Sequence, residues 1–292
     1  MSTKRAYETS PTSRRSPAQM AELLSAIIAI IDSEESAITI RHLFYRLVGF
    51  GIIEKTERAY KSLCGHLSRW RKNGEVSWDA FSDSTRWHIS PPMFDGVADA
   101  LRRARETYRR DLWATQPYYT EVWIEKDAIA GVIADVTREF GVPLFVCRGF
   151  ASLSSLYSAS LTFKEVQSRG KVVAIYHLGD YDPSGDAAAD AIERTFEEHF
   201  DIGINFERIA ILPEHIREFD LPTRPTKGTD SRSRNWTGRE CVELDSMPPR
   251  ELRRLVKDAI VSCIDPHEWR QLKKIEREEK KTLDRTLAKF AA

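Results

Sequence analysis

Three acidic residues stand just beyond the ends of two extended, apolar segments. Glu125 directly follows the segment 118–124. Asp180 and Asp182 follow the segment 172–178 after a single glycine. Because ligands of open parallel sheets sit at the carboxyl ends of the strands, we expect these carboxylates to meet at one sheet edge. Carboxylates held together repel one another unless a cation lies between them, and hard oxygen ligands suit Mg²⁺ or Mn²⁺. The spacing therefore predicts a divalent metal site that can polarise a phosphate.

The second acidic segment also has a purely structural interpretation. Asp182 and Pro183 can start a turn that Asp180 caps, and a single acidic residue in such a place more often has that role. Gly185 lets a ligand approach the backbone closely, which suits either interpretation. The joint placement of the acidic residues after predicted strands favours the metal site.

From residue 116 onward, extended segments alternate with segments of helical periodicity. That alternation predicts an α/β domain with a parallel, doubly wound, Rossmann-like sheet over residues 116–292. The aperiodic stretch 222–239 is predicted to be a basic loop able to close over a substrate backbone. The strands and helices expected here are 118–124, 128–140, 143–147, 172–178, 186–199, 206–212, 248–263 and 266–289. The basic residues expected to contact nucleic acid in the loop are Lys227, Arg232 and Arg234.

Residues 18–92 have a different, helical texture. Apolar spacing predicts helices at 18–32, 39–48 and 56–72, the second capped by Thr39, and an extended piece follows at 75–79. Helices followed by a strand-like hairpin are typical of a winged helix, and a plain helical bundle with a solvated basic face is the alternative. A charged helix over about 93–112 is expected to link the two regions, in a linker of residues 93–115. The third helix offers the basic side chains Lys61, Arg69, Arg71 and Lys72 to DNA.

Tyr45 lies in the second predicted helix, away from its apolar stripe. At 100° per residue it is roughly 130° from the centre of that stripe, so we expect it off the core face. Arg41 precedes it by one turn on the same flank. A guanidinium there can hold a phosphate and favour the phenolate, which would make Tyr45 a nucleophile. A packed structural tyrosine, or one that only hydrogen-bonds DNA, is the alternative.

The bulk composition excludes several classes of protein. The 292 residues are 41% hydrophobic and 30% charged, with a formal net charge of zero, so any DNA binding must come from local basic patches. No apolar run approaches the ~20 residues of a membrane helix. The polar stretch 1–17 lacks the apolar core of a signal peptide and is expected to be a disordered basic tail. The four cysteines form no CxxC pair, so no zinc site is supported and the cytoplasm is expected.

Several motifs resemble one family. Trp123–Lys126 and Gly179–Asp182 match the glutamate and Asp-x-Asp pattern of the Toprim domain. The longer Asp180–Gly185 form and the segment Arg148–Ser155 resemble its topoisomerase VI A-subunit branch, which includes the meiotic double-strand-break protein. Arg41–Tyr45 is similar to that branch's Arg-x-x-Tyr-Tyr motif, with phenylalanine in place of the first tyrosine. The resemblance covers residues 40–215, and the chain is most similar to compact bacterial or phage-type relatives.

The resemblance implies a winged helix followed by a Toprim domain, with Mg²⁺ held by Glu125, Asp180 and Asp182. It implies DNA cleavage and strand passage of the type IIB topoisomerase kind, an isomerase reaction, through a 5′ phosphotyrosine link at Tyr45 assisted by Arg41 and Glu125. Expected partners are DNA, a second copy of the chain and a separate ATPase subunit, in the cytoplasm at the nucleoid. A Toprim nuclease or nickase that uses water, and a non-catalytic DNA-binding module, remain open alternatives.

Overall fold

The computed structural model describes residues 15–34, 37–81, 91–149, 151–226, 236, 238 and 240–290. Its N-terminal region contains helices α1 (Pro17–Asp32), α2 (Ile40–Gly49) and α3 (Glu57–Lys72). Each begins where a hydroxyl side chain caps it: Thr39 accepts a hydrogen bond from the His42 amide, and Thr56 accepts one from the Ala59 amide. These caps confirm the helix starts predicted at Thr39 and Thr56.

These helices bury their own apolar cluster, separate in sequence from those of the sheet. Leu43 and Leu47 of α2 are buried completely, as are Ile27 of α1 and Leu67 of α3. The periodicity that predicted the helices also predicted these inward positions, since residues spaced by three or four share one helix face.

The prediction of an extended segment at 75–79 is wrong. Gly74, at a φ of 77°, ends α3, and the amides of Glu75 and Val76 both turn back to the Trp70 carbonyl. A short 3₁₀ turn, Trp78–Ala80, follows, and Ile38 pairs with Phe81 in an isolated parallel bridge. The remainder of the predicted wing falls in 82–90, outside the described residues.

The prediction of a parallel sheet is confirmed. Within the described residues the sheet contains β1 (Tyr118–Ile124), β2 (Leu144–Val146), β3 (Val172–Leu178) and β4 (Asn205–Ala210), in the order β2-β1-β3-β4, all parallel. Ile124 pairs with Leu178, so β1 and β3 end level with each other. Residues just beyond these two strands are therefore neighbours at the carboxyl edge.

Helices cover both faces of this sheet, which is why its central strands are mostly apolar on both faces. Val122 and Ile124 of β1 face a cluster that includes residues of α5 (Asp127–Phe140) and α9 (Pro249–Ser262). Trp123, between them, faces the opposite cluster with residues of α6 (Leu153–Ser168) and α7 (Pro183–Phe200). The alternation follows from the two-residue period of a strand.

The remaining elements frame the sheet. The predicted charged helix is present but shorter, as α4 (Val97–Thr107), because Gly96 starts it and Tyr108 ends it. After α8 (Pro213–Glu218), the short strands β5 (Arg224–Pro225) and β6 (Glu240–Cys241) pair antiparallel at the base of the predicted loop. The chain ends with α10 (Pro266–Ala288), whose Asp284 accepts two hydrogen bonds from Arg105 of α4. Among the described residues, no helix has the length and apolar character needed to cross a membrane.

Candidate active site

Glu125 and Asp180 meet at the carboxyl edge of the sheet, as the strand ends predicted. The Glu125 amide continues the β1–β3 ladder by donating to the Leu178 carbonyl over 3.0 Å. The Glu125 carboxylate then turns across the edge, where its Oε2 accepts a hydrogen bond of 3.0 Å from the Asp180 amide. The two acidic side chains are thereby fixed to one short stretch of backbone.

Two glycines leave the space that the Glu125 carboxylate occupies. A Cβ on Gly179 would lie 3.0 Å from Glu125 Oε2, and one on Gly185 would lie 3.5 Å from the same atom. A Cβ on Gly185 would also come within 2.3 Å of the Asp180 carbonyl oxygen, closer than carbon and oxygen can approach. The close approach expected at Gly185 is therefore made by the chain itself.

A lysine lies in the middle of the acidic cluster. The Lys126 Nζ atom is 2.7 Å from Asp180 Oδ1, 2.5 Å from Glu243 Oε2 and 3.1 Å from Asp245 Oδ2. Asp180 Oδ1 also accepts a hydrogen bond of 2.8 Å from the Leu244 amide. The ammonium therefore neutralises part of the charge of this cluster, and of the three carboxylates that the sequence assigned to a metal ion it contacts Asp180.

Glu243 and Asp245 were missed by the sequence analysis. Glu243 directly precedes a 3₁₀ turn, Leu244–Ser246, and Asp245 lies within it, and no periodicity in the sequence marks this turn. The turn reaches the sheet edge because Tyr181 and Val242 exchange two backbone hydrogen bonds of 2.9 Å. The alternation of apolar and acidic residues at 242–245 could have marked Glu243 and Asp245 as candidates. Their location at the sheet edge follows only from the backbone bridge to Tyr181.

Asp182 has a structural role in this arrangement. Its Oδ1 accepts hydrogen bonds from the amides of Ser184 and Gly185, at 3.0 and 2.8 Å, and so caps the N-terminus of α7. Its Oδ2 is 3.2 Å from Arg224, which also lies 3.2 Å from Glu243. The structural alternative is therefore corrected: Pro183 starts a helix rather than a turn, and Asp182, not Asp180, is the residue that caps it.

The cluster fits a divalent cation by chemistry more than by arrangement. All its candidate ligands are carboxylate oxygens, the donors that Mg²⁺ and Mn²⁺ prefer. Among the described residues, however, no three His, Cys, Asp or Glu side chains stand where they could hold a metal ion together. The Lys126 ammonium already contacts the carboxylates of Asp180, Glu243 and Asp245. A metal bound by them requires that ammonium to move away.

The buried charges shift one another's proton affinity in opposite directions. Burial raises the pKa of Asp180 to about 7, assisted by Glu243 and Glu125 and opposed by Lys126. Burial alone would also raise the pKa of Glu243, but Lys126 and Arg224 outweigh it and lower that pKa to about 2. The pKa of Lys126 is raised, because Asp245, Asp180 and Glu243 outweigh the effect of burial. Asp180 thus takes up a proton more readily than Glu243.

Arg41 connects this centre to the N-terminal helices. Its Nε donates to Asp245 Oδ2 over 2.9 Å, and its guanidinium is 3.8 Å from Glu243. Its Cζ atom also lies 5.8 Å from the centroid of the Tyr45 ring. Contacts therefore run without a break from Tyr45 through Arg41, Asp245 and Lys126 to Asp180.

The expectation that Tyr45 lies off the core face is wrong. It is 6% exposed and packs edge-on against Phe44, at 5.4 Å between ring centroids. Helix α2 is covered on this flank too, since it packs against the 3₁₀ turn 244–246. Burial, followed by Glu243, raises the pKa of Tyr45 to about 12, and Arg41 lowers it too little to compensate. The expected preference for the phenolate is therefore also wrong for the free protein.

The basic residues predicted to contact DNA fall into three groups. Arg69 and Lys72 are exposed on α3. Lys61 pairs with Glu57 at 2.7 Å, and Arg71 stacks on Trp78 with its Cζ 4.4 Å from the ring centroid. The loop residues Lys227, Arg232 and Arg234 lie outside the described residues.

Comparison of the chain with protein-family models, with curated proteins and with solved structures found no match. Its function therefore has to be argued from the site itself.

Proposed function

We propose that this chain is a Toprim-type protein with an N-terminal winged helix, and that it cleaves phosphodiester bonds in DNA. The observation that carries the proposal is the continuous set of contacts from Tyr45 through Arg41 to the acidic cluster. Residues far apart in the sequence place a nucleophilic group, cations and carboxylates together at the carboxyl edge of a parallel sheet, where such folds bind their ligands.

The reaction is a transfer of the phosphoryl group to Tyr45. Its hydroxyl oxygen attacks the scissile phosphorus and loses its proton, a bond forms between that oxygen and phosphorus, and the bond from phosphorus to the 3′ oxygen breaks. The 3′ oxygen leaves with a proton, and the 5′ end stays on the tyrosine. Arg41, whose guanidinium is half-exposed, is placed to hold the negative charge of the phosphate.

The free protein holds Tyr45 protonated and largely covered. DNA binding must therefore open the contact between α2 and the turn 244–246. Hydration of the separated surfaces and the negative charge of the phosphate would favour this opening. Mg²⁺ or Mn²⁺ would be held by Glu125, Asp180 and Asp182 once Lys126 leaves Asp180 and Arg224 leaves Asp182, and it would neutralise charge on the reacting phosphate. Cutting both strands requires a second copy of the chain, and ATP-driven strand passage requires a separate ATPase subunit.

The test uses supercoiled plasmid with Mg²⁺ or Mn²⁺, followed by denaturation with and without protease. Wild-type protein is expected to nick or linearise the plasmid and to stay attached to its 5′ ends until protease is added. Tyr45→Phe should abolish the adduct while the protein remains folded, and Tyr157→Phe, at an exposed tyrosine of α6, should keep it. Normal cleavage by Tyr45→Phe would exclude the tyrosine mechanism.

The burial and raised pKa of Tyr45 favour a second candidate, a Toprim nuclease in which water attacks the phosphate. That enzyme would lose activity in Asp180→Ala and Glu125→Ala, leave no covalent adduct, and keep its activity in Tyr45→Phe. DNA binding without cleavage in either metal would instead favour a non-catalytic DNA-binding module.

A further inference from the structure

A small cavity lies beside Tyr45, between α2 and the start of α3. Its volume is about 210 Å³. The rings of Phe44, Tyr45 and Tyr60 form one part of its wall. Arg41, Lys55, Thr56 and Glu57 form the rest. The cavity therefore brings cationic groups next to the proposed nucleophile.

Lys55 is the most informative residue of this wall. Its ammonium nitrogen is buried and has no hydrogen-bond partner among the described residues. It lies 5.1 Å from the centroid of the Tyr45 ring. An ammonium taken out of water without a partner is costly, so such a group is usually paired or serves a ligand. The cation-π contact with Tyr45 offsets part of that cost but leaves the three N–H donors without acceptors.

The other groups of the wall favour an anion. Arg41 donates its Nε–H to Asp245, and its guanidinium carries further N–H donors on a side chain that is 45% exposed. Thr56 caps α3, so the positive end of that helix dipole also borders the cavity. Glu57 opposes an anion, but its carboxylate is 81% exposed and pairs with Lys61 at 2.7 Å. Among the side chains that line the cavity, two cations, Lys55 and Arg41, therefore face one carboxylate, and Glu243 behind this wall interacts electrostatically with Lys55.

We propose that this cavity binds a phosphate group of the DNA backbone, with Lys55 and Arg41 as its donors. The inference rests on the proposed function, because it names the place where the phosphate next to Tyr45 is held. It assigns Lys55 a positioning and charge-neutralising role that neither the sequence motifs nor the acidic cluster includes. A phosphate held between these two cations lies beside the Tyr45 ring, which both cations already contact.

The first test uses inorganic phosphate and needs no DNA. A ligand that binds only the folded state raises the melting temperature, by more the further its concentration exceeds its dissociation constant. Phosphate, compared with chloride at equal ionic strength, should raise the melting temperature of the wild type and of Lys164→Met, an exposed lysine of α6. It should not raise that of Lys55→Met. Without phosphate, Lys55→Met should melt no lower than the wild type, because it removes a buried ammonium that has no hydrogen-bond partner in the described part of the chain.

The second test measures the affinity for a fluorescently labelled 20-base-pair duplex as the salt concentration is varied. Lys55→Met should bind about tenfold more weakly than the wild type, with a salt dependence reduced by about one phosphate contact. Lys55→Arg should recover most of the affinity, and Lys164→Met should bind like the wild type.

The outcomes separate this inference from the proposed function. An equal phosphate effect in Lys55→Met and wild type, or unchanged DNA affinity in Lys55→Met, overturns the phosphate site even if the wild type cleaves DNA. A lower melting temperature of Lys55→Met without any change in binding assigns Lys55 a purely structural role and also overturns it. A Lys55-dependent phosphate effect in a protein that never cleaves DNA keeps the site and removes the proposed reaction.

Discussion

Arg41 donates its Nε–H to Asp245 over 2.9 Å, joining residues that are 204 positions apart in the chain. The aspartate side chain is completely buried, and its other oxygen has no hydrogen-bond partner among the described residues. A buried carboxylate depends on the cations that contact it, here Arg41 and Lys126. This ion pair therefore helps to hold α2 against the sheet as well as to build the site.

Removing Arg41 should destabilise the protein. Arg41→Met leaves Asp245 with Lys126 alone, and we expect a loss of about 1–2 kcal/mol in the free energy of unfolding, since Arg41 is itself half-exposed. Urea unfolding measures this loss. The matched control is Arg138→Met, which breaks an exposed pair with Asp135 and should change stability by less than about 0.5 kcal/mol. Equal effects of the two changes would contradict a structural role for the Arg41–Asp245 pair.

Lys126 should compete with divalent cations. Without metal, Lys126→Met leaves Asp180, Glu243 and Asp245 close together with less compensating charge, so we expect a loss of about 3 kcal/mol in stability. Mn²⁺ should restore that loss and should bind the variant at least about tenfold more tightly than the wild type by calorimetry, a coupling of about 1.4 kcal/mol.

Lys164→Met is the control for this substitution, and it should bind Mn²⁺ like the wild type. Tighter Mn²⁺ binding should disappear in the double variant Lys126→Met with Asp180→Asn, because the carboxylate charge is then removed. Mn²⁺ binding that is no tighter in Lys126→Met than in the wild type would show that the ammonium does not occupy the position of a metal.

Gly185 should not tolerate a side chain. An alanine Cβ would lie 2.3 Å from the Asp180 carbonyl oxygen, which is backbone, so Gly185→Ala must displace either α7 or the acidic segment. We expect a loss of about 1–3 kcal/mol in stability. Gly65→Ala in the exposed middle of α3 meets nothing within 4 Å and should stabilise the protein by up to about 1 kcal/mol. Thermal unfolding compares the stabilities of the two variants with that of the wild type. A Gly185→Ala variant more stable than the wild type would refute the close approach of Gly185 to the Asp180 carbonyl.

His42 should make the protein less stable in acid. Burial lowers its pKa from 6.5 to about 4, although Asp245 acts in the opposite direction. The unfolded chain therefore takes up a proton near pH 6.5 that the folded protein refuses until about pH 4. Stability from this group is complete above pH 6.5 and is lost as the pH falls from there to about 4, by at most about 1.4 kcal/mol per pH unit.

Urea unfolding between pH 8 and pH 4.5 measures this dependence. His42→Asn keeps a polar group where the Nδ1 atom lies 3.1 Å from the Thr39 hydroxyl, and it removes the titration. We expect the stability of this variant to fall less than that of the wild type as the pH is lowered from 6.5 to 4.5. The other shifted groups act alike in both proteins: His177, whose buried ring also has a lowered pKa, adds to the loss in acid, whereas Asp180, whose pKa is raised to about 7, opposes it. An unchanged profile would mean that His42 titrates normally in the folded protein.

Local sequence patterns determined most of the helices and strands. The i, i+3, i+4 spacing of apolar residues and the caps Thr39 and Thr56 require only near neighbours, so the helix boundaries in the N-terminal region follow from them. The strand-like segments 118–124 and 172–178 likewise predicted neighbouring parallel strands, and their ends placed Glu125 next to Asp180.

Which residues make up the site was determined only by the tertiary structure. Lys126, Glu243 and Asp245 form one ionic cluster because a backbone bridge between Tyr181 and Val242 carries the turn 244–246 to the sheet edge. Tyr45 was assigned to an exposed flank because helical periodicity describes one helix, whereas burial depends on every surface that packs against it. A pattern of near neighbours contains no information about partners two hundred residues away, so the cation at the centre of the cluster and the cover over Tyr45 were decided by tertiary packing.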